Sequence, residues 1–190
     1  KSKFVNSANS LTGGFYNKIN SLTDYLHLNK VNLLLVNENL VLKNKVEKFS
    51  QLLAEIKSKK VDDTTSFKQR FYFIEGKIEK NQFGGNYNFL TINLGKNDSI
   101  SNEMAVINSK GILGITEHVS NNYSRVQSIL NRNSKINARL KNSSYFGSLM
   151  WNGVDYNILQ LLDIPRQAVI KSGDTIVTGG MSTIFPEGIP

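Results

Sequence analysis

Two hydrophobic periods divide this chain. Between Phe15 and Glu75 there is neither a glycine nor a proline, the residues that most reliably interrupt helices. Within that stretch Ile19, Leu22, Leu26, Asn29, Leu33, Val36 and Leu40 follow the alternating three-and-four spacing of a heptad seam. All but Asn29 are apolar, and a single seam asparagine fixes register and strand number in a two-stranded coiled coil. After Leu40 the phase slips. Lys43 and Glu47 fall on the seam, and Val46, Phe49, Leu53 and Ile56 resume it one residue out of step. A helix from about Ser10 to Lys59 would be ~70 Å long at ~1.5 Å per residue, whereas a compact chain of this length has a radius of gyration of only ~16 Å. Such a helix protrudes, and an apolar seam on a protruding helix wants a partner, most simply a second copy. The alternative is a break into two antiparallel helices around "VNENLVLKN".

From Phe67 onward the period falls to two. "FYFIEGKIE", "NFLTINL", "MAVIN", "ILGITEHV", "SRVQSIL", "KINARL", "YFGSLMW" and "DTIVTG" are short, rich in β-branched and aromatic residues, and separated by turn formers. "INSKGIL" predicts a hairpin with Gly111 at positive φ. Many short strands over this length predict closed small barrels or a sandwich.

Composition narrows what the chain can do. Of its 190 residues 39% are apolar and 20% charged, as in ordinary globular proteins. The apolar run "VNLLLV" is far short of the ~20 residues a membrane-spanning helix needs. There is no cysteine, which removes disulfides, thiolate metal sites and cysteine nucleophiles. The net charge of +8 is uneven: residues 1–60 hold ten basic and four acidic residues, residues 61–190 thirteen and eleven. The excess is lysine scattered among asparagine and serine rather than arginine interleaved with aromatics, which argues against nucleic acid. Weak attraction to an anionic membrane surface remains open.

The catalytic inventory is thin. Neither GxxxxGK[ST] nor GxGxxG occurs, so no nucleotide cofactor is expected. The two histidines, His27 and His118, are distant in sequence, and Glu117 beside one of them does not complete a metal ligand set. Ser182 in "GGMSTIF" lacks a GxSxG context, and a serine nucleophile needs a histidine and an orienting acid within reach. No catalytic residue, cofactor or metal is expected.

The ordered series "NYNFLTINLGKNDSI", "MAVINSKGILGITEHVSNNYSRVQSILNRNSKINARL", "GSLMW", "GD", "IVTGG" and "FPEGIP" resembles MreC, the bacterial rod shape-determining family, almost continuously from Ile74 to Pro190. "NENLVLKN" is similar to the coiled coil that precedes the β region there. The resemblance implies a mainly β fold with one long N-terminal α-helix: a dimerising coiled coil over residues 1–62, then two small six-stranded-type β-barrels over 63–190. These barrels are similar in shape to trypsin-like proteases without the catalytic residues. The resemblance also implies a single N-terminal transmembrane anchor outside this sequence, at the periplasmic face of the inner membrane. The implied role is a scaffold of the cell-elongation machinery. Its implied partners are itself, as a homodimer through the helix, the penicillin-binding transpeptidase of elongation, MreD, and the MreB filament system. The alternatives are a degenerate trypsin-like hydrolase and a module binding peptidoglycan or the membrane surface.

Asn88, Gly95, Met104, Gly111, Gly114, Ser124, Val126, Gly147, Gly173, Asp174, Thr178, Gly179, Phe185, Pro186 and Gly188 match the family pattern. Each has a backbone or packing reason. Gly173 and Asp174 make a turn into a strand, Gly179 and Gly180 permit a sharp exit, and Phe185 enters the core while Pro186 and Gly188 reverse the chain. The tail thus reads as a latch. Gly180 stands where the family usually has serine, and Ser99 and Glu103 where it usually has glycine.

Overall fold

The computed structural model describes residues 27–53 and 71–190, and the chain divides into two compact units, Lys1–Glu75 and Gly76–Pro190. In the first unit, residues 27–53 form one uninterrupted helix, α1, that runs straight through "VNENLVLKN". The alternative break there does not occur, because the segment lacks glycine and proline and is rich in helix-favouring leucine, lysine and glutamate. Three of its polar side chains bond along the helix. The Asn39 amide donates to Leu35 O at 2.9 Å, Ser50 Oγ to Glu47 O at 2.8 Å, and Gln51 Nε2 to Glu47 Oε1 at 2.7 Å. The parts of the expected helix before residue 27 and after residue 53 lie outside the described residues.

Residues 71–75 are not the strand that "FYFIEGKIE" predicts. They pass alongside α1, where Phe73 N donates to Asn44 Oδ1 (2.9 Å), Asn44 Nδ2 donates to Phe73 O (3.2 Å), and Lys43 Nζ stands 5.8 Å from the Phe73 ring centroid. With both backbone polar groups of Phe73 met by a side chain, this residue does not need a strand partner.

The second unit is antiparallel β throughout. Its first sheet has the order β1-β2-β5-β4-β3, built from β1 (Ile78–Gln82), β2 (Phe89–Ile92), β3 (Ala105–Ile107), β4 (Ile112–Val119) and β5 (Ser124–Ser128). Its second has the order β8-β7-β6-β9, from β6 (Ile136–Leu140), β7 (Phe146–Met150), β8 (Gln160–Leu162) and β9 (Ile176–Thr178). Alternation decides which side chains point inward. On β5, Ser124, Val126 and Ser128 are buried while Arg125 is exposed, and on β6 Ile136, Ala138 and Leu140 are buried. Leu90, Ile92 and Val126 form the first core, with Leu94, Val106 and Leu113 packed around it. Removing Val126 fully from water contributes roughly 1.5–3 kcal/mol. The second sheet buries Trp151, Val177 and Phe185 beside the β6 residues. The hydrogen-bonded sheets contain five and four strands.

β8 had no counterpart among the predicted strands. Three residues, two of them leucine, give no alternation to read. The strand pairs along β7 all the same, Ser148 opposite Leu162 and Met150 opposite Gln160.

Candidate functional site

The tail after β9 is held by four hydrogen bonds to Thr178. Thr178, 1% exposed, donates its hydroxyl to Pro186 O at 2.6 Å and accepts from Ile189 N at 2.8 Å. Its backbone closes the same loop: Thr178 N donates to Ile189 O (2.8 Å) and Gly188 N to Thr178 O (3.1 Å). The intervening turn inserts Phe185 into the core and is pinned by Arg139, whose Nη2 meets Glu187 Oε1 at 2.6 Å. Gly188 has φ +89°, a region open to glycine at little cost.

The chain then crosses to the other sheet. Ile112 N donates to Pro190 O at 3.2 Å, and Pro190 O lies so close to Gly111 that a Cβ there would overlap it. The tail therefore ties β9 of the second sheet to the start of β4 in the first.

The remaining motif residues sit where backbones approach or turn. Gly114 and Gly147 leave no room for a side chain against Gln127 O and Leu162 O, Gly95 packs on Asn121, and Gly179 on Asn137. Gly173 and Asp174 form the turn into β9, with Lys171 N donating to Asp174 Oδ2 at 2.8 Å. Asn88 is buried, and its Nδ2 donates to Leu130 O at 2.6 Å. Met104 is partly exposed, but its backbone N donates to the buried Thr116 hydroxyl at 2.8 Å. Ser124 Oγ donates to Leu94 O at 2.6 Å.

The concavities of this unit include a groove and a cleft. A groove of about 830 Å³ is lined by Lys96, His118, Arg125 and Tyr123 with Ser101, Ser120 and Ser124. A cleft of about 540 Å³ runs between the sheets beside the tail, lined by Leu113, Ile129, Leu149, Leu159, Val177 and Ile189 among others. The groove gathers a histidine and three serines, yet no nucleophile is set up. Ser124 Oγ donates to Leu94 O, Ser120 Oγ to Tyr123 O and Ser101 Oγ to Asn102 O. His118 faces Glu117 across 3.8 Å at an exposed site, and Ser182 Oγ accepts from Ile184 N within its own turn. A serine whose proton is committed to a backbone carbonyl is not activated by a base. Among the described residues no cluster of three metal-ligating side chains occurs, and no helix is long and apolar enough to cross a membrane. The arrangement can bind and hold; it offers no assembled acid–base chemistry.

The family model described as rod shape-determining protein MreC, barrel core, matches residues 78–190, the whole of the two-sheet region with its latch. The chain belongs to the MreC family. The cell shape-determining protein MreC of Listeria monocytogenes is 25% identical over 164 residues, covering 80% of this chain and 55% of that protein. The chain thus spans about half the length of the curated MreC it matches. The solved MreC of Listeria monocytogenes has the same fold, with a TM-score of 0.57 at 24% identity over 80% of this chain and 78% of that one. A second solved structure, the major periplasmic domain of the cell shape-determining filament MreC, gives a TM-score of 0.52 at 22% identity over 60% and 71% of the two chains. One helix followed by antiparallel sheets with an MreC barrel core is therefore the fold of this chain.

The turn "GKNDSISNEM" carries two non-glycine residues at positive φ. Ser99 and Glu103, standing for glycines, both take φ +64°. The turn is held by Gly95 N donating to Asp98 Oδ2 at 2.9 Å and by Glu103 N donating to Thr116 O at 2.8 Å.

Of the expected MreC dimer seam, Ile19, Leu22 and Leu26 lie outside the described residues. Asn29, Leu33 and Val36 are exposed on α1, and Leu40 is half-buried. Sequence reasoning missed the buried polar residues Asn131, Ser134 and Thr116. Asn131 Nδ2 donates to Asn88 O at 3.1 Å, and Ser134 Oγ to Ser128 O at 2.6 Å. The clustering "NRNS" between two strands signals a turn, but nothing in it shows that the turn is inside.

Proposed function

We propose that this chain is a non-enzymatic scaffold of the bacterial cell-elongation machinery, controlling rod shape by organising peptidoglycan synthases in the periplasm. The observation that carries the reading is the barrel-core match across the whole two-sheet unit. In this reading the protein is held at the periplasmic face of the inner membrane by a single-pass N-terminal anchor. It forms a homodimer through the N-terminal helix. Its β region meets the penicillin-binding transpeptidase of elongation and, with MreD, links it to the MreB filament system. The domain plan is a dimerising coiled coil over 1–62 and two small barrels over 63–190.

A scaffold needs surfaces that hold shape while partners come and go. The tail latch supports that, since it fixes the two sheets to each other through Thr178 and Pro190. Binding to peptidoglycan or a membrane surface through the basic helix is a second reading, favoured by the ten basic against four acidic residues of 1–60. A degenerate hydrolase has no support from the serines, whose hydroxyls are engaged with the backbone or in turns.

The experiment is depletion of the protein in its own cells, with cell width followed by microscopy. Rods that swell and round as the protein is lost agree with the proposal. Rods that keep their width and divide normally without it overturn it.

A further inference from the structure

The turn that leaves β7 contains the sequence's one Asn-Gly step, Asn152–Gly153. Every other asparagine is followed by a residue with a side chain. Asn152 is exposed, and its Oδ1 accepts from Val154 N at 3.0 Å, an Asx turn. Among the described residues neither Asn152 Nδ2 nor the Gly153 N–H has a hydrogen-bond acceptor. Gly153 has φ +85° and no Cβ to crowd its nitrogen.

We infer that Asn152 is a self-modification site, where the chain deamidates itself without an enzyme. Gly153 N gives up its proton and forms a bond to Asn152 Cγ. The Cγ–Nδ2 bond breaks, and Nδ2 leaves as ammonia with the proton that Gly153 gave up. Water then opens the five-membered imide at one carbonyl or the other, leaving aspartate or isoaspartate at position 152. Nothing is oxidised or reduced. The turn favours ring closure in three ways. Nucleophile and electrophile are tethered neighbours, the Val154 N–H sits on the oxygen where negative charge develops, and the attacking N–H has no protein hydrogen bond to lose.

The modification falls on a joint between the sheets. Trp151, just before the site, is 2% exposed, and its Nε1 donates to Asp155 O at 2.8 Å across the turn. Just after it, a Cβ on Gly153 would stand 2.8 Å from Asn86 Oδ1 and 3.0 Å from Arg132 Cδ. Asn86 lies between β1 and β2 and Arg132 just after β5, the two joined by Arg132 N donating to Asn86 O at 3.0 Å. Isoaspartate adds a methylene to the main chain between Trp151 and Gly153, and a backbone held this closely on both sides cannot absorb it without loosening.

Mass spectrometry of the unmodified chain, incubated folded at neutral pH and then digested, decides the matter. The peptide carrying Trp151–Gly153 gains one mass unit and splits into two products, at a rate within about tenfold of that of a free synthetic peptide of the same sequence. Hydroxylamine added during incubation traps the imide and cuts the chain between Asn152 and Gly153. Asn152→Gln, which needs a six-membered ring, shows no gain. Conversion slower than the tenfold limit, or a gain in Asn152→Gln equal to that of the unmodified chain, overturns the inference. Urea unfolding followed through Trp151 tests the consequence. The isoaspartyl protein unfolds at lower urea than the unmodified one, and an unchanged midpoint would overturn the tie between this turn and the sheets.

Discussion

Asn44 and Phe73 are joined twice: Phe73 N donates to Asn44 Oδ1 at 2.9 Å, and Asn44 Nδ2 donates to Phe73 O at 3.2 Å. One amide side chain thus meets both the N–H and the C=O of Phe73, as a strand neighbour would. This pairing gives α1 a polar contact on the side that carries Asn44.

Replacing Asn44 by alanine removes both bonds. Each contributes about 0.5–1.5 kcal/mol net, so opening of the 71–75 segment becomes about 5–150-fold more frequent. Hydrogen exchange at the Phe73 amide reads this directly. Unchanged protection in Asn44→Ala means that the segment is held by something else.

The latch makes a sharper demand on stability. Thr178→Val keeps the shape and deletes a hydroxyl that both donates and accepts in a buried site, leaving Pro186 O and Ile189 N unmet, at a cost of about 2–3 kcal/mol. Thr178→Ser keeps the hydroxyl and loses about 1 kcal/mol with the methyl group. Phe185→Ala costs about 3–5 kcal/mol, since the ring is only 3% exposed. Urea unfolding followed through Trp151, the only tryptophan and 2% exposed, measures all three. Valine tolerated as well as serine at position 178 would show that the hydroxyl does not hold the latch.

The turn at Ser99 and Glu103 carries a cost that glycine would relieve. Both residues sit at φ +64°, where a side chain costs roughly 1–2 kcal/mol, partly offset by the extra chain entropy glycine loses on folding. Ser99→Gly and Glu103→Gly each raise the unfolding free energy by up to ~1 kcal/mol. A fall in stability on either change would mean that the side chain contributes more than its backbone conformation costs.

What the sequence shows follows from how far each signal reaches. Alternation is local, so β2 through β7 and β9 are legible from runs such as "SRVQSIL" and "KINARL". β8 is too short to alternate, and it forms because β7 offers it an edge. The latch is legible in outline, since Gly179, Phe185, Pro186 and Gly188 punctuate the tail. Its centre at Thr178 depends on bonds eight and eleven residues away along the chain. Asn131 and Thr116 are polar residues made interior by tertiary contacts, which no local pattern announces. The helix is legible from an absence of breakers, whereas its faces are not. Apolar residues fall all around it, and the half-buried positions Leu40, Asn44, Glu47, Gln51 and Leu52 follow no apolar row.

The central claim is that the β region acts by holding a partner. Its most direct test is titration calorimetry of this chain with the periplasmic part of the penicillin-binding transpeptidase of elongation from the same cell. Saturable binding, lost when Phe185→Ala unlatches the sheets and kept in the stabilised Ser99→Gly protein, is the predicted result. No heat of binding to the transpeptidase at concentrations up to ~100 μM, beyond about −5.5 kcal/mol of affinity, would contradict it.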